Sequence, residues 1–399
     1  MIHKPAIEGG TPVRRQPLPF HRPIMGPAEE TAVLEVLRSG WLARGARTAR
    51  LEEQLKTYTG AGEVLALNSC TAALELALLL ADIKKGDEVI VPTFTFAATA
   101  NVVVHLGGKP VLVDVDPGTL NLDPAAAATA VTPHTRAMMA VDFAGHAAEY
   151  ESLNQLARDK GLILIRDAAH ALEAHYNDRA VGEDSDFTCL SFYANKNMTT
   201  GEGGALLCHP SRSLPARGAA LSLHGMSRHA WQRYGAAGFR HYDITEAGYK
   251  WNMFDLQAAL GLAQFQQLEE WHRRRVEIVS RYRAELESHP AVKLLEIRPH
   301  VRPAHHLFVV KLVPEALRRD RDHILQALQA EGIGVAVHYR ALHQHTFYRE
   351  NFGYQDAAFP VATQAADNMV SLPLFPGMTD RDAGDVITAL RRVLDFYAV

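Results

Sequence analysis

A single lysine, Lys196, lies between two apolar runs and just before a glycine-rich turn, in the stretch CLSFYANKNMTTGEGGALLC of residues 189–208. An ammonium group in such a place costs free energy unless it is paired, neutral or covalently occupied. A desolvated lysine loses its proton more easily, and its neutral amine can form a Schiff base with an aldehyde. Most lysines are solvated surface groups, which is the alternative. The apolar flanks, the strand-end position and the glycine-rich exit favour a reactive amine.

A carboxylate, Asp167, ends the apolar run GLILIRDA. In an open α/β sheet, ligands bind outside the carboxyl ends of the strands, where a carboxylate can hold a protonated heterocyclic nitrogen. The alternative is an N-cap for a helix over AAHALEA. Neighbouring strand residues face opposite sides, so Arg166 and Asp167 are not expected to form an ion pair.

Hydroxyl groups lie at the start of an alanine- and leucine-rich helix in NSCTAALELALLLAD. Ser69 and Thr71 would there accompany free backbone N–H groups and the positive end of the helix dipole, which together suit an anion. A plain N-cap is the alternative. Neither GxxxxGK[ST] nor GxGxxG occurs here, which argues against a nucleotide loop and against an NAD-linked oxidoreductase.

These three features are what pyridoxal phosphate requires: a phosphate site, a carboxylate for the pyridinium nitrogen and a Schiff-base lysine. Between the first two lies PTFTFAATAN, in which Phe94 and Phe96 could cover a ring. Each signal is weak alone, but their order along the chain predicts this cofactor.

The elements that must position these residues alternate between residues 60 and 210. Short β-rich runs predict strands that are buried on both faces, as in a mostly parallel sheet, and helix-like segments lie between them. The predicted strands are DEVIVPTF, KPVLVDVD, AMMAVDF, GLILIRDA, FTCLSFY and GALLCH. The predicted helices are TAALELALLLAD, AATANVVVHLG and YESLNQLARDKG.

A long or bent amphipathic helix is expected to lead out of this α/β unit, and a smaller α+β unit follows. Its predicted strands are HHLFVVKLV and GIGVAVHY, and its predicted helices are RDHILQALQAEG and RDAGDVITALRRVLDF. The expected domains are residues 1–255, including an N-terminal arm, and residues 256–399.

Composition narrows the function classes. The 399 residues include 47% hydrophobic and 22% charged side chains, with 41 basic against 45 acidic groups and no basic block, so a globular protein without nucleic-acid binding is expected. The cysteines Cys70, Cys189 and Cys208 suggest a reducing compartment. No signal peptide or membrane span is evident, which predicts a cytoplasmic protein. The 20 histidines are scattered and form no HExxH pattern, so no metal site is expected.

Over nearly its whole length the chain resembles the DegT-type sugar aminotransferases, a branch of the fold-type-I pyridoxal-phosphate enzymes. The resemblance is carried by LPFHRPIMGPAEETAVLEVLRSGWLARGARTARLEEQL, NSCTAALELALLLADIKKGDEVIVPTFTFAATANVV, DAAHALEA, SFYANKNMTTGEGGAL, GYKWNMFDLQAALGLAQ, HYRALHQHTFYRENF and SLPLFPGMTDRDAGDVITAL. It implies a large domain with a mostly parallel seven-stranded sheet flanked by helices, a smaller α+β C-terminal domain, and a homodimer with shared active sites.

The resemblance also implies roles for individual residues. Lys196 would form the Schiff base and Asp167 would pair with the pyridine nitrogen. The remaining cofactor contacts would be Phe96 on the ring, His170 near the ring hydroxyl, Cys70, Thr71 and Ser191 at the phosphate, and Lys250 at the phosphate of the neighbouring subunit. The chain departs from the family pattern at Cys70, where Gly or Ala is common, and at Arg166, where an acidic residue is common.

The implied reaction is ping-pong transfer of an amino group from L-glutamate to a nucleotide-linked keto sugar. Within the family the chain is most similar to the aminotransferases of 4-keto nucleotide sugars, including those that make 4-amino-4-deoxy-arabinose on UDP. A 3-keto-sugar or aminocyclitol aminotransferase and a non-catalytic cofactor-binding regulatory homologue are the alternatives, whereas sugar dehydratases of the family lack the lysine. Candidate substrate contacts are Arg228, His338, Tyr339 and His343, each with a structural role as its alternative.

Overall fold

A computed structural model describes residues 4–212, 214, 216–226 and 242–399. Its central feature is a seven-stranded sheet, to which all strands up to residue 208 belong except the short β6 and β7. These strands are β1 (Glu63–Leu67), β2 (Glu88–Pro92), β3 (Lys109–Val113), β4 (Thr135–Val141), β5 (Ile163–Asp167), β6 (His175–Tyr176), β7 (Arg179–Ala180), β8 (Phe187–Ser191) and β9 (Gly204–Cys208). The strand order is β1-β9-β8-β5-β4-β2-β3.

The strands of this sheet are mostly parallel, as the sequence predicts. β2 is parallel to β3 and β4, β4 to β5, and β5 to β8, whereas β9 runs antiparallel to both β8 and β1. Since parallel strands end at one edge, Asp167 at the end of β5 and Ser191 at the end of β8 come to the same edge of the sheet. The fold thus collects residues that are distant in sequence.

Helices cover both faces of the sheet. The helices of this part are α1 (Pro27–Ser39), α2 (Ala46–Thr59), α3 (Cys70–Leu80), α4 (Ala97–His105), α5 (Pro124–Ala130), α6 (Tyr150–Lys160) and α7 (Ala216–Leu221). Val89 and Val91 of β2 pack in one core with α3 and α4, whereas Ile90 between them packs in another core with α5 and α6. The near-continuous hydrophobic runs therefore have the two-sided burial that was expected of them.

The C-terminal part begins with a bent helical segment, as predicted, because α8 ends at Phe265 and α9 starts at Leu268. Its helices are α8 (Asp255–Phe265), α9 (Leu268–Leu286), α10 (Arg321–Ala330), α11 (Thr346–Phe352), α12 (Pro360–Asn368) and α13 (Asp380–Tyr397). Its strands are β10 (Val292–Leu294), β11 (Val301–Arg302), β12 (Phe308–Leu312) and β13 (Met369–Leu372). β10, β12 and β13 form a sheet, and β11 pairs with β6.

The strand predicted over GIGVAVHY is wrong. Residues 332–339 make only isolated bridges, one from Ile333 to Leu18 and one from Ala336 to Ser371. β13 occupies the edge of β12 that this segment could have joined. The hydrophobic pattern of β13 is weaker, so the sequence did not reveal that strand. The last residue of the segment, Tyr339, instead lies near the carboxyl edge of the large sheet, where its hydroxyl is 3.0 Å from His170 Nε2.

An N-terminal arm is fastened to the C-terminal part. The buried carboxylate of Glu331 accepts hydrogen bonds from the backbone nitrogens of Ala6 and Val13, each at 2.8 Å. Arg14 forms ion pairs with Asp382 and Asp385 at 2.6 and 2.8 Å.

We propose the domain division predicted from the sequence, after residue 255, where α8 begins. Among the described residues, no helix combines the length and apolarity that crossing a bilayer requires.

Candidate active site

Lys196 lies in the loop that follows β8, with its backbone nitrogen bonded to Tyr193 O at 2.9 Å. Its side chain is half-buried, and its Nζ donates no hydrogen bond to any residue that the structure describes. Burial lowers the pKa of Lys196 from 10.5 to about 8, although the nearby Asp167 carboxyl opposes the shift. About a tenth of the amine is therefore neutral at pH 7, and this is the form that attacks an aldehyde.

Asp167 is buried at the end of β5 and forms no ion pair with any described residue. Its Oδ2 accepts a hydrogen bond from Thr99 Oγ1 at 2.8 Å, and its Oδ1 accepts one from Ala169 N at 3.2 Å. Burial raises the pKa of Asp167, against these two hydrogen bonds and Lys196. Turns follow at residues 168–174, so Asp167 caps no helix there. A buried carboxyl without a cation fits a protonated ring nitrogen.

Arg166 faces the other side of the sheet, as strand alternation predicts. Its guanidinium pairs with Asp142 at 2.6 Å and with Asp184 at 3.7 Å, and it lies 4.3 Å from the ring centroid of Tyr150. All four side chains are buried. The unusual cation therefore has its own counter-ions and does not neutralise Asp167.

The start of α3 lies next to this carboxyl. Ser69 Oγ accepts a hydrogen bond from Ala72 N at 3.1 Å, so Ser69 is an N-cap, while the first amides of the helix have no intrahelical acceptor. Cys70 is buried with its Sγ 4.0 Å from Asp167 Oδ1, and Thr71 is exposed. The predicted anion site and the predicted ring-nitrogen partner are thus adjacent.

Close packing of β9 against α3 depends on a glycine. A Cβ on Gly204 would lie 2.4 Å from Cys70 N, a distance that real Cβ atoms do not show. Gly204 pairs with Ser191 across β8 and β9, which brings the Ser191 side chain to the same region as the helix start. Ser191 and the start of α3, with Cys70 and Thr71, therefore lie in one region of the site.

Aromatic side chains line the open side. Phe96 is 61% exposed, and its ring centroid lies 6.0 Å from that of Tyr339. The Tyr339 hydroxyl and His170 Nε2 share a hydrogen bond of 3.0 Å, while His170 Nδ1 is buried without a partner among the described residues. Phe94 is fully buried and packs edge-on against Phe143, so the prediction that it could cover a ring is wrong.

The other predicted contacts are placed differently. Lys250 is exposed, its Nζ bonds Asn252, and its carbonyl accepts from Asn68 Nδ2 at 3.2 Å. His338 bonds Ser371 Oγ at 2.9 Å, and burial, with Lys196 nearby, lowers its pKa to about 4. Arg228 lies outside the described residues.

His343 has the structural role that was the alternative to substrate binding. Its ring is buried, and its nitrogens bond Thr93 Oγ1 at 2.8 Å and Thr363 Oγ1 at 2.9 Å. Both nitrogens are therefore occupied within the fold.

Several residues around Lys196 were not found from the sequence. Thr99 reaches Asp167 from α4, and Asn197, which follows Lys196, bonds Glu173 and His306. Asn197 could have been suspected from its position beside the lysine, but nothing in the sequence near His306 connects it with residue 197.

Solved structures of similar chains carry the cofactor that these groups fit. A protein named as a sugar aminotransferase, Spr1654 from Streptococcus pneumoniae, is 32% identical in its pyridoxal phosphate form, with a TM-score of 0.89 over 95% of this chain and 99% of that one. PseC of Helicobacter pylori, an aminotransferase involved in the biosynthesis of pseudoaminic acid, is 25% identical, with a TM-score of 0.88 over 96% of this chain and 100% of that one. The fold and the site thus define a pyridoxal-phosphate-dependent sugar aminotransferase of fold type I.

The chain belongs to the DegT/DnrJ/EryC1/StrS aminotransferase family, whose model matches residues 23–391. Spore coat polysaccharide biosynthesis protein SpsC of Bacillus subtilis is 41% identical over 378 residues, which make up 94% of this chain and 97% of that protein. The resemblance read from the sequence motifs is confirmed, and so is the predicted cofactor.

Proposed function

We propose that this aminotransferase moves the amino group of L-glutamate to the C4 carbonyl of a nucleotide-linked keto sugar, in two half-reactions. The observation that best supports an amine-transferring site is the desolvated Lys196 amine beside a buried Asp167 carboxyl that has no cation of its own. The sugar class is supported by the family and by the relatives named for polysaccharide and pseudoaminic acid biosynthesis. The nucleotide and the C4 position are supported by the motif resemblance.

Lys196 and Asp167 are the proposed catalytic residues. The proposed cofactor contacts are Cys70, Thr71 and Ser191 at the phosphate, Phe96 on the ring, His170 at the ring hydroxyl, and Lys250 from a second chain. His338, Tyr339 and Arg228 are the proposed substrate contacts.

Pyridoxal phosphate, when bound, supplies an aldehyde carbon that holds amines and a ring that takes up an electron pair. Lys196 would hold the cofactor through its neutral amine, with release of water, and its free Nζ would move a proton between the substrate carbon and the cofactor carbon. The Asp167 carboxylate stabilises a proton on the ring nitrogen, because burial strengthens the attraction of opposite charges. Phe96 would keep water from one face of the ring, and the α3 amides would hold the phosphate.

A homodimer is part of the proposal. Large hydrophobic side chains are exposed near the site, and isolated chains seldom leave such a group uncovered. They are Trp41, Leu42, Phe96, Tyr193 and Phe254, with exposed fractions of 51, 47, 61, 47 and 40%. A second copy of the chain seated on this face would bring its Lys250 to the phosphate group.

Mixing two inactive variants tests the shared site. Lys196→Ala and Lys250→Ala chains, unfolded and refolded together, should regain about a quarter of wild-type activity, because half of the dimers are mixed and each has one intact site. No regain would show that Lys250 serves its own chain. Borohydride reduction followed by peptide mapping checks the lysine separately and should place the pyridoxyl group on Lys196.

The substrate is tested with a panel of 3-keto and 4-keto nucleotide sugars and ketocyclitols, each with L-glutamate and read by the mass change of amination. We expect amination of a 4-keto nucleotide sugar. If only a 3-keto sugar or a ketocyclitol gains an amine, the C4 proposal is wrong and the aminotransferase assignment stands. A cofactor band that does not shift with any amino acid would instead indicate a binding homologue.

A cytoplasmic location is proposed because all three cysteines are free and buried.

A further inference from the structure

Asn197, the residue after Lys196, is held in place by two hydrogen-bond acceptors, the Glu173 carboxylate and the Ala304 carbonyl. Asn197 Nδ2 donates to both carboxylate oxygens of Glu173, at 3.2 and 3.0 Å, and to Ala304 O at 3.0 Å. A carboxylate and a carbonyl accept hydrogen bonds and donate none. The amide nitrogen of Asn197 must therefore point at Glu173, and its oxygen must point the other way.

That oxygen determines which nitrogen of His306 carries a proton. Asn197 Oδ1 lies 3.1 Å from His306 Nδ1, and because an amide oxygen only accepts, Nδ1 is the donor. Burial, together with the neighbouring His170 and Lys196, holds the pKa of His306 well below its ordinary value. The neutral ring has only one proton, so His306 Nε2 has a free lone pair.

The free nitrogen belongs to a ring that lines the same cavity as Lys196. His306 lines this cavity together with Asn195, Lys196, Asn197 and His21. His306 Nε2 accepts no hydrogen bond from any residue in the described ranges, and the ring is held in place by His170, whose centroid lies 4.4 Å away. His306 Nε2 is thus an acceptor in the wall of the cavity, to which a ligand with an N–H group can donate.

Glu173 is held in place by Arg275, on the side away from Asn197. The carboxylate is fully buried and pairs with Arg275 of α9, whose Nε also bonds Ala304 O at 3.3 Å. A guanidinium only donates hydrogen bonds, so the Glu173 oxygens are the acceptors towards Arg275 as well as towards Asn197. The network thus runs from α9 through Glu173 and Asn197 to His306.

We propose that His306 is the residue that receives the ammonium group of the amine substrate, through a hydrogen bond to its Nε2. This inference rests on the proposed transfer from an amino acid. The donor amine must arrive where the Lys196 amine lies, and it arrives from water as an ammonium with three N–H donors. A 2-oxo acid or a keto sugar has a carbonyl at that position and gains nothing from an acceptor. His306 therefore distinguishes amines from ketones.

His306→Asn tests the contact with little disturbance, since the asparagine amide can still donate to Asn197 while Nε2 is lost. The pyridoxal phosphate form of wild-type and variant enzyme is titrated with L-glutamate, the pyridoxamine phosphate form is titrated with 2-oxoglutarate, and the cofactor absorbance is followed in both. The apparent Kd for glutamate should rise about tenfold to a hundredfold, as for a lost hydrogen bond to a charged group, while that for 2-oxoglutarate changes less than about twofold. His146→Asn, at a buried histidine outside this cavity, is the matched control.

Glu173→Gln tests the cause without changing His306. A glutamine amide can donate to residue 197, so reversal of the Asn197 amide then costs only its hydrogen bond to Ala304 O and places the histidine proton on Nε2. Nitrogen-15 NMR of histidine-labelled protein should show His306 protonated at Nδ1 in the wild type and at Nε2 in this variant, with weaker glutamate binding. Glu88→Gln, at the opposite edge of the sheet, is the control.

Three results would overturn the inference: a wild-type His306 protonated at Nε2, unchanged glutamate binding in His306→Asn, or equal losses for glutamate and 2-oxoglutarate. If the wild-type band does not respond to glutamate, the donor proposal fails by itself. The same titration is then made with other α-amino acids and their 2-oxo acids, so His306 is still tested.

Discussion

The capture of pyridoxal phosphate by the apoenzyme should follow the protonation of Lys196. Burial lowers the pKa of this lysine from 10.5 to about 8. Only the neutral amine attacks an aldehyde, so the capture rate should rise with pH and level off above pH 8. At pH 7 about a tenth of such an amine is neutral, against about one part in three thousand for an ordinary lysine. Desolvation therefore makes the reactive form roughly 300 times more abundant.

Stopped-flow absorbance between pH 6 and 10, with the spectrum of the free cofactor recorded at each pH, measures this dependence. Asp167→Asn should move the midpoint below that of the wild type, because the carboxylate favours the ammonium form of Lys196. Lys160→Met, at an exposed lysine of α6, should leave the curve unchanged. A rate that still rises tenfold per pH unit between pH 9 and 10 would refute the desolvation argument.

The other predictions concern stability and cofactor affinity. Apo Lys196→Met should melt at a higher temperature than the wild type at pH 7. The pKa of Lys196 is lower in the folded state, so the wild type loses stability relative to the variant as the pH falls from 10.5 to 8, and the difference then stays level. A constant difference from pH 7 to 10.5 would contradict this. Arg166→Met leaves Asp142 and Asp184 buried without their main cation and should lower the urea-unfolding free energy by about 3–5 kcal/mol; a loss below about 1 kcal/mol would show that the pair is dispensable. Gly204→Ala should cost about 1–3 kcal/mol and weaken cofactor binding, measured by equilibrium dialysis, at least about tenfold; unchanged affinity would place the phosphate elsewhere.

The main catalytic candidates could be predicted because local sequence determines their positions. Asp167 ends a run of buried residues, and such runs end at the edge of the sheet where ligands bind. Lys196 stands out because an ammonium group is rarely flanked by apolar segments and glycines. The alternation along a strand likewise placed Arg166 and Asp167 on opposite sides.

What could not be predicted depends on tertiary contacts. His306 reaches residue 197 only because β11, β12 and α9 pack beside the loop after β8, and nothing near HHLFVV indicates that contact. Phe94 and Phe96 have the same residue type two positions apart, yet one is core and the other 61% exposed. The segment GIGVAVHY has the composition of a strand, but β13 pairs with β12 at the position in the small sheet that this segment could have taken.

The N-terminal arm gives the beginning of the chain an influence on a site built mainly by later residues. The arm is anchored through Glu331, and a few residues further on Phe20, His21 and Ile24 form a wall of the cavity at Lys196. Removing the first seventeen residues would leave a buried carboxylate without two of its donors and would free that wall. Shortening the chain at this end, or fusing a bulky tag to it, should therefore change which molecules can reach the lysine, even though no catalytic group is lost.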